Sequence, residues 1–153
     1  MLFQRMARLL WPLTIFRTRQ HPVNAPKTST KKETRPLKIE SYRFGEIVID
    51  GICYTKDLKI IKGKIFDNWW RSQGHILQLS DILDVIAAKP STLIVGTGAY
   101  GRMVLKPGLA EELRSKGIRI IALATEPAIQ RFNELTSLPG GHNEVAIALH
   151  LTC

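Results

Sequence analysis

The order of elements in residues 92–123 constrains the fold more than any other feature of this chain. Residues 92–95 form a short continuous apolar run, as expected for a strand buried on both faces. Pro107 suits the first turn of a helix, and Gly117 suits its C-terminal cap. Residues 118–123 then form a second apolar run. A strand, a helix and a strand in this order predict parallel pairing with a right-handed crossover.

The preceding part of the chain predicts an antiparallel meander instead. Asp50-Gly51 separates two apolar segments, residues 42–49 and 52–61. This dipeptide favours a hairpin because both of its residues tolerate positive φ. Lys62-Gly63 predicts a second turn, and residues 64–70 predict a third strand.

Two further helices and a last strand complete the predicted domain. Ser80 and Thr125 are suitable caps for helices with apolar stripes. The apolar residues of segment 145–151 alternate, which predicts a final strand. The fold class is therefore predicted to be α/β: a single domain with a mixed central sheet flanked by helices and a small N-terminal antiparallel meander.

Charge and glycine are distributed unevenly along the chain, and this sets the predicted domain boundary. The 153 residues include 22 Lys+Arg and 13 Asp+Glu, a formal charge of +9. Residues 1–40 hold nine basic and two acidic residues, and all eleven glycines follow them. We predict a basic leader and flexible linker over residues 1–40 and a folded, nearly neutral domain over residues 41–153.

The basic leader leaves three interpretations open. Residues 1–20 carry four arginines and no acid, with apolar residues able to share a helical face. This composition is typical of a mitochondrial transit peptide and of a helix lying on a membrane surface; a disordered extension is the third interpretation. We expect a cytoplasmic protein, or one in the mitochondrial matrix if residues 1–20 act as a transit peptide. A spanning helix is excluded because no run of about 18 apolar residues occurs.

A glycine-rich motif follows the first of the two parallel strands. Residues 96–101 read GTGAYG, but in a dinucleotide site the glycines open a helix directly, and here the next helix waits for Pro107. The glycines more simply allow a tight exit from the strand. Because anionic ligands gather beyond the ends of parallel strands and at helix N-termini, we retain an anionic-ligand hypothesis. Its residues are Thr97, Gly98, Arg102, Lys106 and Glu126.

A second motif, WWRSQGH at residues 69–75, suggests an interaction surface. Adjacent residues of a strand point to opposite faces, so one tryptophan can enter the core while the other covers a second face or is exposed. An exposed Trp beside Arg is typical of interaction hot spots. The interaction hypothesis comprises Trp69, Trp70, Arg71 and His75; the alternative is that the second ring packs under a helix or the linker.

Patterns for catalysis or metal binding do not stand out in the sequence. The four histidines are scattered, and neither Cys53 nor Cys153 has a partner at metal-ligand spacing. A zinc site would have to be assembled entirely by the fold. We therefore predict no catalytic residue, no metal and no cofactor, and favour a non-enzymatic protein. Two cysteines are too few for a disulfide scaffold and fit a reduced, intracellular setting.

Six segments carry a family resemblance through their order and spacing. They are SYRFGEIVIDGICYT, WWRSQGH, LIVGTGAYG, RSKGI, ATEPAIQRFNEL and ALHLTC. Together they resemble the small Mth domain, over about residues 41–153. That family includes the adipogenesis-associated Mth domain-containing protein, bacterial and archaeal relatives, and a mitochondrial complex I assembly factor. The resemblance implies a mixed sheet with helices on its faces and a small antiparallel layer, and it implies no established catalytic residue or cofactor.

An interaction or assembly module is the function that these observations favour, since the assembly factor in this family acts through protein contacts. The HLTC and WWR segments look closer to the prokaryotic and cytosolic members, whereas the basic leader points to the complex I factor. We expect a protein partner, leave a homo-oligomer open, and expect no specific nucleic-acid binding, because a basic tail attracts phosphate without specificity. The alternative is a small anionic-ligand binder or enzyme that uses the loop at residues 96–106.

Overall fold

A computed structural model describes residues 35–153 of the chain. The predictions for residues 1–20 lie outside this part, so targeting and localisation stay predictions. Across residues 35–153, none of the helices is both long and apolar enough to cross a membrane.

Six short strands come first in residues 35–153, and the helices are interspersed among the four strands that follow. The strands are β1 (Ile39–Arg43), β2 (Glu46–Ile49), β3 (Ile52–Tyr54), β4 (Leu58–Ile61), β5 (Lys64–Phe66), β6 (Ile76–Leu77), β7 (Thr92–Thr97), β8 (Val104–Leu105), β9 (Arg119–Leu123) and β10 (Val145–His150). The helices are α1 (Leu83–Ala88), α2 (Leu109–Ser115), α3 (Thr125–Thr136) and α4 (Gly141–Glu144), with a 3₁₀ turn over Leu79–Ile82 before α1.

A mixed five-stranded sheet forms the centre of the domain, in the order β5-β4-β10-β7-β9. Strand β7 pairs in parallel with β9 and with β10, while β4 pairs antiparallel with β10 and β5. Strands β1, β2 and β3 form a separate antiparallel meander. The predicted α/β fold, with its mixed sheet, flanking helices and N-terminal meander, is confirmed.

Apolar side chains cover both faces of the central sheet, and β10 shows how. Val145, Ile147 and Leu149 belong to the cluster that also contains residues of the meander and α3. Ala146 and Ala148 belong to the opposite cluster, which includes residues of α1 and α2. Large side chains on one face and alanines on the other let β10 lie buried between two layers.

Three predicted strands differ from the structure. Segment 42–49 is divided by a turn at Phe44-Gly45 into β1, which begins at Ile39, and β2. Segment 52–61 is divided into β3 and β4, which belong to different sheets, because the chain leaves the meander after Tyr54 and enters the central sheet at Leu58. Segment 64–70 ends as a strand at Phe66, and a loop carries the two tryptophans. The last two corrections concern the loops that carry Asp57 and Arg71, the polar residues described next.

The predicted helix caps are also corrected. The turn before α1 is capped by Gln78 rather than Ser80, with the Asp81 carboxylate accepting the Gln78 amide at 3.0 Å. Thr125 is the first residue of α3 rather than its cap. Its buried hydroxyl instead donates to the His150 carbonyl at 2.6 Å and accepts the Gly98 amide at 2.9 Å.

Candidate functional site

Three charged or polar side chains meet at one end of the central sheet, and we call Asp57, Arg71 and His150 the polar centre. Asp57 Oδ2 lies 2.9 Å from Arg71 Nη2 and 2.8 Å from His150 Nδ1. Asp57 Oδ1 accepts the Leu151 amide at 2.8 Å. The side chains of Arg71 and His150 are 5% and 8% exposed, so this is a buried ion-pair network rather than a surface one.

Strand pairing explains why Asp57 and His150 meet. In the antiparallel pair of β4 and β10, Leu58 lies opposite Leu149. The next position along each strand brings Asp57, just before β4, beside His150, the last residue of β10. Arg71 arrives from the loop after β5, where its Nε donates to the Gly74 carbonyl at 3.1 Å and its guanidinium stacks 4.7 Å from the centroid of the Trp69 ring.

The polar centre fixes the protonation of its carboxylate. Burial alone would raise the pKa of Asp57, but hydrogen bonds from His150, the Leu151 amide and Arg71 together hold that pKa below its ordinary value. An ionised carboxylate only accepts hydrogen bonds. His150 Nδ1 lies 2.8 Å from this carboxylate and 3.0 Å from Arg71 Nη2, and Nε2 is the ring nitrogen on the opposite side.

Two buried nitrogens of the polar centre are left without partners. Within residues 35–153, neither Arg71 Nη1 nor His150 Nε2 has a hydrogen-bond partner. A buried polar atom without a partner costs about 1–3 kcal/mol, and such atoms in native structures often mark a site for water, an ion or a ligand. His75 and Cys153 bring two further metal-ligating side chains close to His150.

The loop after β5 separates its two tryptophans. Trp69 is buried, with its Nε1 donating to the Asp81 carbonyl at 2.9 Å. Trp70 is 80% exposed. It lies on an open groove of about 540 Å³ whose other lining residues include Thr55, Lys56, Asp57, Asn68 and Ser72. Of the predicted interaction residues, Trp70 and His75 are exposed, whereas the side chains of Trp69 and Arg71 are buried beneath the loop.

Several backbone donors of the predicted anionic-ligand loop are engaged inside the protein. Gly98 N donates to Thr125 Oγ1 at 2.9 Å, and Ala99 N donates to the Thr152 carbonyl at 3.0 Å. The Thr97 hydroxyl donates to the Leu123 carbonyl at 2.9 Å. An anion at this edge would depend on the exposed Arg102 and Lys106. Ligand binding there stays a prediction.

The remaining residues of the anionic-ligand hypothesis, Arg102, Lys106 and Glu126, each have different surroundings. Arg102 lies 5.9 Å from the centroid of the exposed Tyr100 ring, which itself lies 6.2 Å from the ring of Phe44. Glu126 is exposed in the first turn of α3. The Lys106 amide donates to the Leu77 carbonyl at 2.8 Å and so joins this segment to β6, while the Lys106 side chain is exposed.

Sequence reasoning missed Asp57, His150 and Cys153. Asp57 lies inside segment 52–61, which the sequence predicts as one continuous strand. The available clue was that a carboxylate interrupts the apolar segment 52–61, since a charged residue buried in a strand requires a partner. The partner lies 93 residues away, and no local spacing could identify it.

Comparison with known proteins places the chain in a family. Residues 39–150 match a family described as proteins of unknown function (DUF498/DUF598). The chain belongs to the DUF498 family. This match covers nearly all of the described domain, from β1 to the last residue of β10, and therefore includes Asp57, Arg71 and His150.

Solved structures resemble this DUF498 domain in fold. A conserved hypothetical protein from Pyrococcus horikoshii is 25% identical with a TM-score of 0.64, covering 76% of this chain and 99% of that one. An outer membrane protein from Bartonella henselae is 21% identical with a TM-score of 0.64, covering 78% and 98%. A Bordetella pertussis protein described as a Mth938-like domain is 18% identical with a TM-score of 0.61, covering 75% and 85%. The resemblance to the Mth domain is thereby confirmed for the prokaryotic relatives.

Proposed function

We propose that this DUF498 protein is a non-enzymatic interaction or assembly module that binds a protein partner through Trp70. The observation that supports the proposal is the exposure of this indole. At 80% it is the most exposed large apolar side chain in residues 35–153. Tryptophan is the residue type most enriched among interaction hot spots, where its burial by a partner contributes strongly to affinity.

The loop that presents Trp70 is anchored on both sides. Before it, the Trp69 amide donates to the Asp57 carbonyl at 2.8 Å, in addition to the indole bond to Asp81. After it, Arg71 is held by Asp57 and Gly74. A side chain presented on an anchored backbone loses less conformational entropy on binding, so this arrangement favours a preformed contact point.

The groove beside Trp70 suits a protein surface better than a small molecule. Small-molecule pockets are usually enclosed, whereas this groove is open and has polar side chains such as Thr55, Lys56 and Asn68 around the exposed indole. One aromatic anchor within a polar rim is the usual composition of a protein interface. The partner we propose therefore offers an apolar pocket for the indole and acidic or carbonyl oxygens for Lys56.

Quantitative affinity purification of the tagged full-length chain tests the proposal. Trp70→Ala should lose its principal partner, and binding of that purified partner should weaken about thirty-fold or more, as for hot spots worth about 2 kcal/mol. Leu138→Ala removes another exposed apolar side chain, 57% exposed, and should bind normally. Equal binding by both variants and the unmodified chain, with melting temperatures unchanged, would reject Trp70 as the docking residue.

A further inference from the structure

Three metal-ligating side chains converge beside the polar centre. One ring nitrogen of His75, one of His150 and the Sγ of Cys153 all lie within 4.8 Å of one another. The two imidazole rings meet close to edge-to-face, with 6.0 Å between their centroids. We propose that His75, His150 and Cys153 bind a divalent cation of the zinc class.

His150 is already prepared to act as a metal ligand. Its Nδ1 is directed at Asp57 Oδ2, 2.8 Å away, and its Nε2 is buried without a hydrogen-bond partner in the described part of the chain. Metal-binding histidines commonly donate their other ring N–H to a carboxylate, which fixes the tautomer and the direction of the ring. Asp57 would have this positioning role, and the cation would occupy the side of the ring that lacks a partner.

The backbones of the other two ligands are held by separate contacts. The His75 carbonyl accepts the Val104 amide at 2.9 Å, which fixes the chain just before β6. The Thr152 carbonyl accepts the Ala99 amide at 3.0 Å. The carbonyl of Cys153 packs so closely on Gly98 that a Cβ there would lie 2.3 Å from it. The tertiary fold therefore brings the three ligands together. This agrees with the sequence, in which no local ligand spacing could form a zinc site.

The donor types select among cations. Two imidazoles and a thiolate are ligands that zinc accepts and that Mg²⁺ and Ca²⁺ avoid. Three protein ligands leave a fourth position for water or another ligand, as in zinc sites that act on bound molecules rather than purely structural ones.

The site must contract slightly on binding. Tetrahedral zinc, with bonds of about 2.0–2.3 Å, places its ligand atoms roughly 3.3–3.8 Å apart, closer than the 4.8 Å limit observed. His150 is fixed by Asp57, but the side chain of His75 is exposed and that of Cys153 is partly exposed, so these two can rotate inward. Arg71 does not oppose the cation as a free charge, because its guanidinium is paired with Asp57.

Titration of the untagged, reduced full-length chain with Co²⁺, and then with Zn²⁺, tests the proposal. We expect one equivalent of Co²⁺ with a thiolate-to-cobalt charge-transfer band, displaced by Zn²⁺. Cys153→Ser should abolish the band, and His75→Ala should weaken zinc binding by about ten-fold or more. Cys53→Ser and His142→Ala are matched controls, since they remove the same residue types elsewhere, and both should bind like the unmodified chain.

Several outcomes would overturn the proposal. They are the absence of stoichiometric cobalt binding, a charge-transfer band that follows Cys53, or unchanged zinc affinity in both Cys153→Ser and His75→Ala. Rapid alkylation of Cys153 that depends on His150 without any metal binding would also overturn it, since it would identify an activated thiol instead. Trp70→Ala should bind cobalt normally, so failure of the proposed interaction function and failure of the metal site are distinguishable.

Discussion

The loop at residues 96–101 and the polar centre differ both in how visible they are in the sequence and in whether their buried polar groups have partners. The loop carries a recognisable glycine motif, yet the Gly98 and Ala99 amides are satisfied by Thr125 and Thr152. The polar centre has no motif, yet it leaves two buried nitrogens without partners within residues 35–153. In this protein the glycine spacing therefore reflects close packing of the backbone. The position of an additional ligand is indicated instead by buried polar groups that lack a hydrogen-bond partner.

The segment after β10 joins these two regions. Leu151 N binds Asp57 in the polar centre at 2.8 Å, and the carbonyls of Thr152 and Cys153 lie against Gly98 in the loop. Close packing at Gly98 therefore also sets the position of Cys153. The loop therefore contributes to the candidate metal site by positioning Cys153, and it supplies no metal ligand itself.

The largest expected effect comes from removing the acid of the polar centre. Asp57→Ala leaves Arg71 buried without its counter-charge, and breaking a buried ion pair in this way costs about 3–5 kcal/mol. Urea unfolding in the presence of a chelator should measure the loss without a contribution from metal. Glu134→Ala, which removes an exposed ion pair with Arg131, should cost no more than about 1 kcal/mol. Similar losses in both variants would mean that the polar centre behaves like a surface pair.

The fold could be predicted from the sequence wherever a local pattern determined the structure. The apolar run before Gly96, the helix after Pro107 and the strand after Gly117 gave the parallel pairing of β7 and β9, because each signal lies within a few residues of the element it defines. Asp50-Gly51 gave the hairpin for the same reason, and both residues have positive φ, 47° and 79°.

The candidate site could not be predicted because its residues are joined only by tertiary structure. Asp57 and His150 meet through the antiparallel pairing of β4 and β10, which no local signal specifies. The sequence predicts a strand over residues 64–70, but the strand ends at Phe66 and Trp69 turns into the core from the loop that follows. Burial of one tryptophan and exposure of the other follow from that turn rather than from strand alternation.

Gly98→Ala tests whether the glycine loop is a packing device. Gly98 has φ +104°, and a Cβ would lie 2.3 Å from the Cys153 carbonyl oxygen. Backbone strain and overpacking together should cost about 3 kcal/mol, measured by chemical unfolding. Gly108→Ala is the matched control: its φ is +87° but nothing lies within 4 Å of its Cβ position, so it should cost only about 1 kcal/mol. Equal costs would show that backbone conformation alone explains Gly98.

The smallest expected effect concerns the hydrogen bond that joins the meander to the segment after β10. The Tyr42 hydroxyl donates to the Leu151 carbonyl at 2.9 Å, and burial raises the pKa of Tyr42 above its ordinary value of 10.0. Because the folded state holds this proton more tightly than the unfolded state, the contribution to stability is complete below about pH 10 and is lost as pH rises through the folded pKa. Tyr42→Phe should cost about 1 kcal/mol at neutral pH, and this difference from the unmodified chain should shrink in alkaline unfolding experiments. A difference that stays constant to pH values well above 10 would mean that the hydroxyl does not stabilise the segment shared by the two regions.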